Sequence, residues 1–226
     1  TKTSLVQTLK SYAVASVTPV IIDPETTFIT LTTTFKYDSS LTTKDVSTLQ
    51  TNVLNAVSTY NTDTLEDFTG MFRYSAVGKT IDEADTSILS NITKIKMYKY
   101  ITPTLSSGLK YTLSFNNAFY NPHSGHNASA GGIVSSTGFK INDDSSTNEH
   151  FLDDNGEGAI RVYYLSGTTR IYTDSSFGTI DYTTGEIILT SANITSISNV
   201  DGAASTQIRV TVTPSSNDVV PVRNQV

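Results

Sequence analysis

A chain of 226 residues is long enough to bury a hydrophobic core, and with no cysteine it has no disulfides, thiolate nucleophile or cysteine–zinc site. Its net charge of −6 argues against binding nucleic acid through bulk charge. No apolar run approaches the roughly 18–20 residues of a membrane span, so we expect neither nucleic acid nor a membrane as a partner.

The first part of the chain alternates between helical and extended patterns. Residues 1–17 have a loose helical spacing, whereas residues 19–38 alternate apolar side chains with threonines, which is typical of a strand with one hydrated face. An apolar stripe over residues 46–60 predicts an amphipathic helix of about four turns. Thr42 and Asp45 have the spacing of a capping box for that helix.

The next stretch is dense in helix-end signals. Asn61 stands where a left-handed cap residue is expected. Thr64 and Asp67 then form an approximate N-capping box, which predicts a short helix ending at Gly70.

A second helical spacing and a strand complete this part. Tyr74, Val77 and Ile81 recur at helical intervals, and residues 92–101 alternate as a strand. The order strand, helix, short helices, strand predicts helices on one face of a small sheet. We therefore predict an α+β domain over residues 1–104.

The pattern changes after Pro103, where no helical period remains. Alternating runs such as 111–115 and 208–212 are separated by loops rich in glycine and polar residues. Residues 180–189 are typical of a hairpin with Gly185 in its loop. Residues 105–226 are therefore predicted to form a mostly β domain, a sandwich or a barrel, and the fold class is α+β.

One fragment of a nucleotide motif is present. Gly78, Lys79 and Thr80 match the end of a phosphate-binding loop, but Arg73 occupies the position of its first glycine. Phosphates need close backbone approach and free N–H groups, so we reject a nucleotide site.

Two segments resemble metal sites. His123, His126 and His150 are the only histidines, and imidazole together with nearby carboxylates can ligate a metal. The nearby carboxylates are Asp143, Asp144 and Glu149. The residues around the histidines are typical of turns, which favours a solvated loop over a metal site. Residues 153–158 resemble the start of a calcium loop, but its twelfth position is Tyr164 instead of glutamate, so a turn is favoured.

No sequence pattern indicates catalysis. The nucleophile elbow GxSxG and the metalloprotease helix HExxH are absent. A triad or carboxylate pair assembled across the fold leaves no spacing signal, and nothing in the chain selects one. We expect no catalytic, cofactor-binding or metal-binding residues, no cofactor and no enzymatic activity.

Lys94, Lys96 and Lys99 form a basic cluster in an otherwise acidic chain. They are interpreted as a solvated or locally paired face. The alternative is a strand edge that steers an acidic partner.

Several short motifs occur in an order that resembles a known family. In the first half they are Leu49, Val53, Val57, Tyr60-Asn61, Leu65, Phe68, Phe72-Arg73-Tyr74-Ser75, Ile81-Asp82 and Ser87-Ile88-Leu89-Ser90-Asn91. In the second half they are residues 151–158 and 178–185. Together they resemble the baseplate wedge proteins of contractile-tailed bacteriophages, in the baseplate-J-like group. The likeness is closest to the C-terminal portion of the large ring-forming wedge subunit of myoviruses, over roughly residues 18–226.

This resemblance implies a structural role in the virion tail baseplate, with assembly in the host cytoplasm. Its implied partners are a second copy of itself, as a dimer within a ring of wedges, and other baseplate wedge proteins. The resemblance assigns no catalytic residues to this chain. Because Thr1 replaces an initiator methionine and the chain ends in an apolar tail, we expect a fragment of a longer protein.

Two functional hypotheses follow. The first is a structural assembly module, for which we predict an isologous dimer burying more than about 1,000 Å². The alternative is a β-rich carbohydrate-binding module whose site would be lined by some of the 12 tyrosines, although tryptophan, a favoured platform residue, is absent.

Overall fold

The computed structural model describes residues 2–12, 18, 25–67, 70–128, 132–144 and 148–221. Within them lie three α-helices: α1 (Lys2–Tyr12), α2 (Val46–Tyr60) and α3 (Tyr74–Asp82). The strands are β1 (Phe28–Tyr37), β2 (Ile88–Ile101), β3 (Gly108–Ser114), β4 (Ser135–Ser136), β5 (Phe139–Ile141), β6 (His150–Asp154), β7 (Ala159–Ser166), β8 (Thr169–Asp181), β9 (Glu186–Ile197) and β10 (Ile208–Val212). The predicted α+β class is confirmed, with helices in the first half and a β-rich second half. Residues 19–24 of the predicted first strand and Phe68 of the predicted short helix lie outside the described residues.

The first sheet has the strand order β1-β2-β10-β4. β1 pairs antiparallel with β2 along its whole length, and β10 pairs antiparallel with the other side of β2. Ile95 and Met97 of β2 are buried in one cluster with Val77 and Ile81 of α3, because alternate strand residues point to the same face. Helices α2 and α3 therefore cover one face of this sheet.

The second sheet closes on itself. β9 pairs antiparallel with β3, β5 and β8, and the pairing continues from β5 through β6 and β7 to β8. The strands β9-β5-β6-β7-β8 thus form a small barrel with β3 added alongside β9. The predicted hairpin joins β8 to β9, and Gly185 in its turn has φ +72°. Buried side chains of the barrel strands include Leu152, Ile160, Val162, Ile187, Leu189 and Ile194.

Strands from both halves of the chain meet in the first sheet. β10 and β4 follow residue 104, yet β10 pairs with β2 and β4 pairs with β10. Alternation predicts the two faces of a strand but not its neighbour, so this pairing was not predictable from local sequence. A domain boundary at residue 104 stays a prediction. A division at that residue would separate β10 and β4 from β1 and β2, although all four strands belong to one sheet.

The start of α2 differs from the prediction. The N-cap residue is Asp45, whose Oδ1 accepts a hydrogen bond from the Thr48 amide at 2.8 Å. Thr42 Oγ1 instead accepts from the Lys44 amide at 3.1 Å in the preceding turn. The predicted capping box that begins at Thr42 is therefore wrong, and the helix begins later because Asp45 is the better placed acceptor.

The end of α2 also differs. Asn61 has φ −61°, and the chain continues from it into a π-helical turn over Asn61–Leu65. The Asn61 side-chain amide donates to Glu66 Oε1 at 2.7 Å, which holds the turn. The predicted left-handed cap at Asn61 and the predicted helix start at Thr64 are both wrong, since Thr64 lies inside the π-helical turn.

Candidate interaction surface

The face of the first sheet that the helices do not cover is here called the outer face. Even-numbered residues of β2 from Ser90 onward point to it, and along β1 the exposed positions are also the even ones. It is formed by Thr30, Thr32, Thr34, Lys36, Ile92, Lys94, Lys96, Tyr98, Tyr100, Arg209 and Thr211. The face is rich in threonine and lysine, with aromatic side chains at one end.

Three lysines of the outer face have no ion-pair partner among the described residues: Lys36, Lys94 and Lys96. The residues of β1 opposite Lys96 and Lys94 are Thr30 and Thr32, which are uncharged. A chain of net charge −6 thus carries, within its described residues, a positive patch on a sheet face that no acidic side chain pairs with.

Lys99 does not belong to this patch, although the sequence groups it with Lys94 and Lys96. Its side chain is 9% exposed on the opposite face, with Nζ at 3.2 Å from Glu25 Oε2 and 5.9 Å from the centre of the Phe115 ring. Strand alternation separates residue 99 from residues 94 and 96. Lys99 is locally paired, whereas Lys94 and Lys96 are solvated.

An aromatic cluster occupies one end of the outer face. Phe28 stacks on Tyr98 with ring centres 5.0 Å apart, and Tyr100 packs edge-on against both rings. The Arg209 guanidinium lies 5.7 Å from the Tyr98 ring centre and pairs with Asp201 at 2.8 Å. Burial, with Tyr100 as its neighbour, raises the pKa of Tyr98. Sequence reasoning missed this cluster because Arg209 comes from β10, whose pairing with β2 has no local signal.

β1 is an edge strand in this sheet. It pairs with β2 on one side, and no described strand pairs with its other side. Its ten residues contain no proline, and the one register irregularity against β2 falls at its end, between Lys36 and Tyr37. Such an edge presents unpaired N–H and C=O groups to another strand.

Asp153 and Asp154, which begin the segment that resembles a calcium loop, lie on β6. Their carboxylates accept hydrogen bonds from other groups of the protein. Asp153 is 1% exposed; its Oδ1 accepts from Arg161 Nε at 2.9 Å, and its Oδ2 accepts from Arg170 at 2.7 Å and from the Tyr172 hydroxyl at 2.9 Å. The two guanidinium groups also lie over tyrosine rings, Arg161 over Tyr172 and Arg170 over Tyr163. This group ties β6, β7 and β8 together.

Asp154 is fully buried and points to the other face of β6. Its Oδ1 accepts from the amides of Ile133 and Val134 at 2.6 and 2.9 Å. Its Oδ2 accepts from the Tyr182 hydroxyl at 2.5 Å and from the Gly156 amide at 3.3 Å. Burial, followed by the hydrogen bond to Asp154, raises the pKa of Tyr182. Both carboxylates thus serve structural hydrogen bonds.

The histidines separate into two places. His123 Nε2 lies 3.1 Å from His126 Nδ1 in a turn, and His123 Nδ1 lies 3.0 Å from the Ser124 carbonyl oxygen. His150 is buried in β6 with Nε2 at 3.1 Å from Asp144 Oδ2, and burial lowers the pKa of His150. Among the described residues, no three His, Asp or Glu side chains gather into a possible metal site.

The remaining sequence motif lies within a helix, and one cavity lies beside the start of another. Residues 78–80 lie inside α3 and form no phosphate-binding loop. A cavity of about 390 Å³ beside the start of α2 is lined by residues 40–44, Asp85 and Thr86. Lys44 Nζ lies 2.5 Å from Asp85 Oδ2 there, and this hydrogen bond, with those from Ser87, holds the pKa of Asp85 well below its ordinary value. None of the helices in the described ranges is long and apolar enough to cross a membrane.

Comparison with known proteins matches a segment that contains most of the outer face. Residues 25–100 match the family model of the baseplate structural protein gp6, C-terminal domain III. This match supports a structural protein of a phage baseplate. No curated protein matches the chain. The matched segment contains β1, α2, α3 and nearly all of β2, and therefore the edge strand and the three unpaired lysines.

This match supports the general expectation of a phage baseplate protein. A baseplate structural protein is a component of the virion tail and associates with other baseplate components, and the matched family is a structural one. The baseplate-J-like group, the ring-forming wedge subunit and the dimer remain predictions.

Proposed function

We propose that this protein is a structural subunit of a phage tail baseplate wedge. It forms a homodimer, takes part in a ring of wedges, contacts other wedge proteins and catalyses no reaction. Its assembly takes place in the host cytoplasm, before the finished baseplate becomes part of the virion. The observation that carries this proposal is the match of residues 25–100 to a baseplate structural family. The matched residues build most of the sheet that, among the described elements, has a face without helices and an edge strand without a second neighbour.

The chemistry of this sheet suits contacts with other proteins. Lys36, Lys94 and Lys96 are unpaired within the described part of the chain, so they are available to carboxylates of a partner. Positive groups on an exposed face increase the rate of encounter with an acidic surface and select against basic ones. The threonines between them add hydrogen-bonding groups without large apolar area.

The alternative, a carbohydrate-binding module, finds less support. Sugar platforms need an aromatic face that is open to the ligand. In the aromatic cluster of the outer face, Phe28 and Arg209 both pack on Tyr98. In the β7–β8 region, guanidinium groups lie over Tyr163 and Tyr172. A glycan array is expected to show no specific binding, and binding that is lost with Tyr98→Ala would favour this alternative.

The homodimer is tested by multi-angle light scattering over a range of protein concentrations. We expect the mass to approach twice that of the chain as concentration rises. A monomer at every accessible concentration would refute the homodimer.

The wedge contacts are tested by co-expression with the products of the neighbouring genes. We expect a complex of fixed stoichiometry with at least one of them. In that complex, hydrogen exchange should slow in β1 and β2, while the hairpin around Gly185 serves as an internal control. If none of the neighbouring products forms a complex, or if only barrel strands are protected, the assignment of this sheet to wedge contacts fails.

A further inference from the structure

The sequence of β1 has a self-complementary pattern about Thr32. When two β1 strands run antiparallel with Thr32 facing Thr32, Thr30 lies opposite Thr34 and Leu31 lies opposite Thr33. In the same register Ile29 lies opposite Phe35, and Phe28 lies opposite Lys36. On the outer face, threonine thus meets threonine at the centre. On the helix-covered face, Leu31 meets Thr33 and Ile29 meets Phe35, and at the ends Phe28 gains the cationic neighbour Lys36.

We propose that β1 is the dimerisation edge of this protein, with two copies pairing antiparallel about Thr32. Each copy contributes its sheet β1-β2-β10-β4, so that one continuous eight-stranded sheet crosses the twofold axis. This inference rests on the proposed homodimer and assigns the surface that forms it.

The charges on β1 select the antiparallel arrangement. Lys36 is the only charged residue of the strand and stands near one end. Antiparallel pairing about Thr32 separates the two copies of Lys36 by roughly 27 Å, whereas parallel pairing in register would place them side by side. Lys94 lies opposite Thr32 on β2, so the two copies of Lys94 stand three strand spacings apart, about 14 Å, which exceeds the screening length in physiological salt.

Burial along β1 also indicates a missing neighbour. Ile29, Leu31 and Phe35 point toward the helix-covered face and pack against the core, but each stays only half-buried. A second β1 strand would cover their open sides with Phe35, Thr33 and Ile29 of the second copy. Natural edges are usually blunted by proline, bulges or inward-pointing charges, and between residues 28 and 35 this strand has none of them.

Single cysteines test the register, because the chain has no thiol of its own. Thr32→Cys is expected to give a disulfide-linked dimer under mild oxidation, seen on a non-reducing gel, since residues that face each other across the twofold axis are within disulfide reach. Thr30→Cys and Thr34→Cys are each expected to stay unlinked, because each residue lies about 14 Å along the strand from its own copy. A mixture of these two variants should form the linked heterodimer. Thr112→Cys, on an exposed position of β3, is the matched control and should stay unlinked.

A charge substitution tests the energetics. Thr32→Lys places two ammonium groups opposite each other at the axis, and the dimer dissociation constant is expected to rise about tenfold or more. Thr112→Lys adds the same charge on β3, in the other sheet and away from β1, and is expected to leave the constant unchanged. Circular dichroism of both variants checks that the fold is retained.

Each further outcome is decisive. A wild-type dimer that is neither linked by Thr32→Cys nor weakened by Thr32→Lys would overturn the edge assignment and leave the homodimer intact. A wild-type chain that is monomeric throughout would overturn both. Self-linking of Thr30→Cys or Thr34→Cys would overturn the register about Thr32. A monomer whose edge instead accepts a strand from an acidic partner would also overturn this proposal.

Discussion

Replacing Asp154 with alanine is expected to destabilise the barrel more than any other single carboxylate deletion in β6. The side chain is fully buried and joins three parts of the second half of the chain: the loop before β4, the strand β6 and the segment after β8. Gly132, at φ +80°, lets that loop approach so closely that an added Cβ would come within 2.0 Å of Asp154 Oδ1.

The size of the expected destabilisation follows from the hydrogen-bond donors that Asp154→Ala would leave without an acceptor. Two backbone amides at 2.6 and 2.9 Å and the Tyr182 hydroxyl at 2.5 Å would lose an acceptor that is itself fully buried. Hydrogen bonds to a charged group contribute about 1.5–3 kcal/mol each, and their losses are not additive. We expect Asp154→Ala to reduce the free energy of unfolding by about 3–5 kcal/mol, which is a large part of the stability of an ordinary domain.

Two variants serve as controls for this prediction. Tyr182→Phe removes one donor and leaves the amide contacts, so about 1–2 kcal/mol should be lost. Asp153→Ala removes a carboxylate that is equally buried, but its partners Arg161 and Arg170 have side chains 18% and 37% exposed. These guanidinium groups can regain hydration, so we expect about 1–2 kcal/mol for Asp153→Ala.

The assay is urea denaturation followed by far-ultraviolet circular dichroism, since the chain has no tryptophan. The slope of the free energy with urea should stay the same in all variants, so that the midpoint reports stability. If Asp154→Ala and Asp153→Ala cost the same, or if Asp154→Ala costs less than about 1 kcal/mol, then Asp154 does not hold the loop as described.

Three further predictions concern pH and turn geometry. Because the pKa of His150 is lowered in the folded state, its contribution to stability is fully present above about pH 6.5 and falls as the pH drops below that value. His150→Gln should flatten this part of a profile of melting temperature against pH. An unchanged profile would refute the role given to His150. The lowered pKa of Asp85 means that its contribution is present above about pH 4 and lost below it; Lys44→Met should make that acid loss shallower, and an equally steep loss would contradict the pairing. Gly185 and Gly202 both have positive φ, but an added Cβ would meet a backbone carbonyl oxygen at 2.0 Å only at Gly185. Gly185→Ala should therefore cost about 1–3 kcal/mol more than Gly202→Ala in thermal melts, and equal costs would show that crowding is unimportant there.

The sequence alone determined those features that depend on residues close together in the chain. The apolar stripe of residues 46–60 predicted α2, and the alternation of residues 92–101 predicted most of β2 with Lys94 and Lys96 on its hydrated side. The glycine in the turn at residue 185 predicted the hairpin between β8 and β9. Periodicity reports which side of an element is buried, so these predictions needed no knowledge of the neighbouring elements. Ordered motifs in residues 49–91 likewise resembled the phage baseplate proteins that the match to residues 25–100 supports.

Tertiary structure alone decided which elements meet. The pairing of β10 with β2, which brings Arg209 to Tyr98, joins residues more than a hundred positions apart. The burial of Asp154 was also invisible, because its donors come from the loop at residues 133–134 and from Tyr182, and the local sequence resembles an exposed turn. Strand partners and buried polar contacts are selected by the burial of apolar surface summed over the whole chain, together with the need to satisfy every buried donor, and no window of a few residues contains that information.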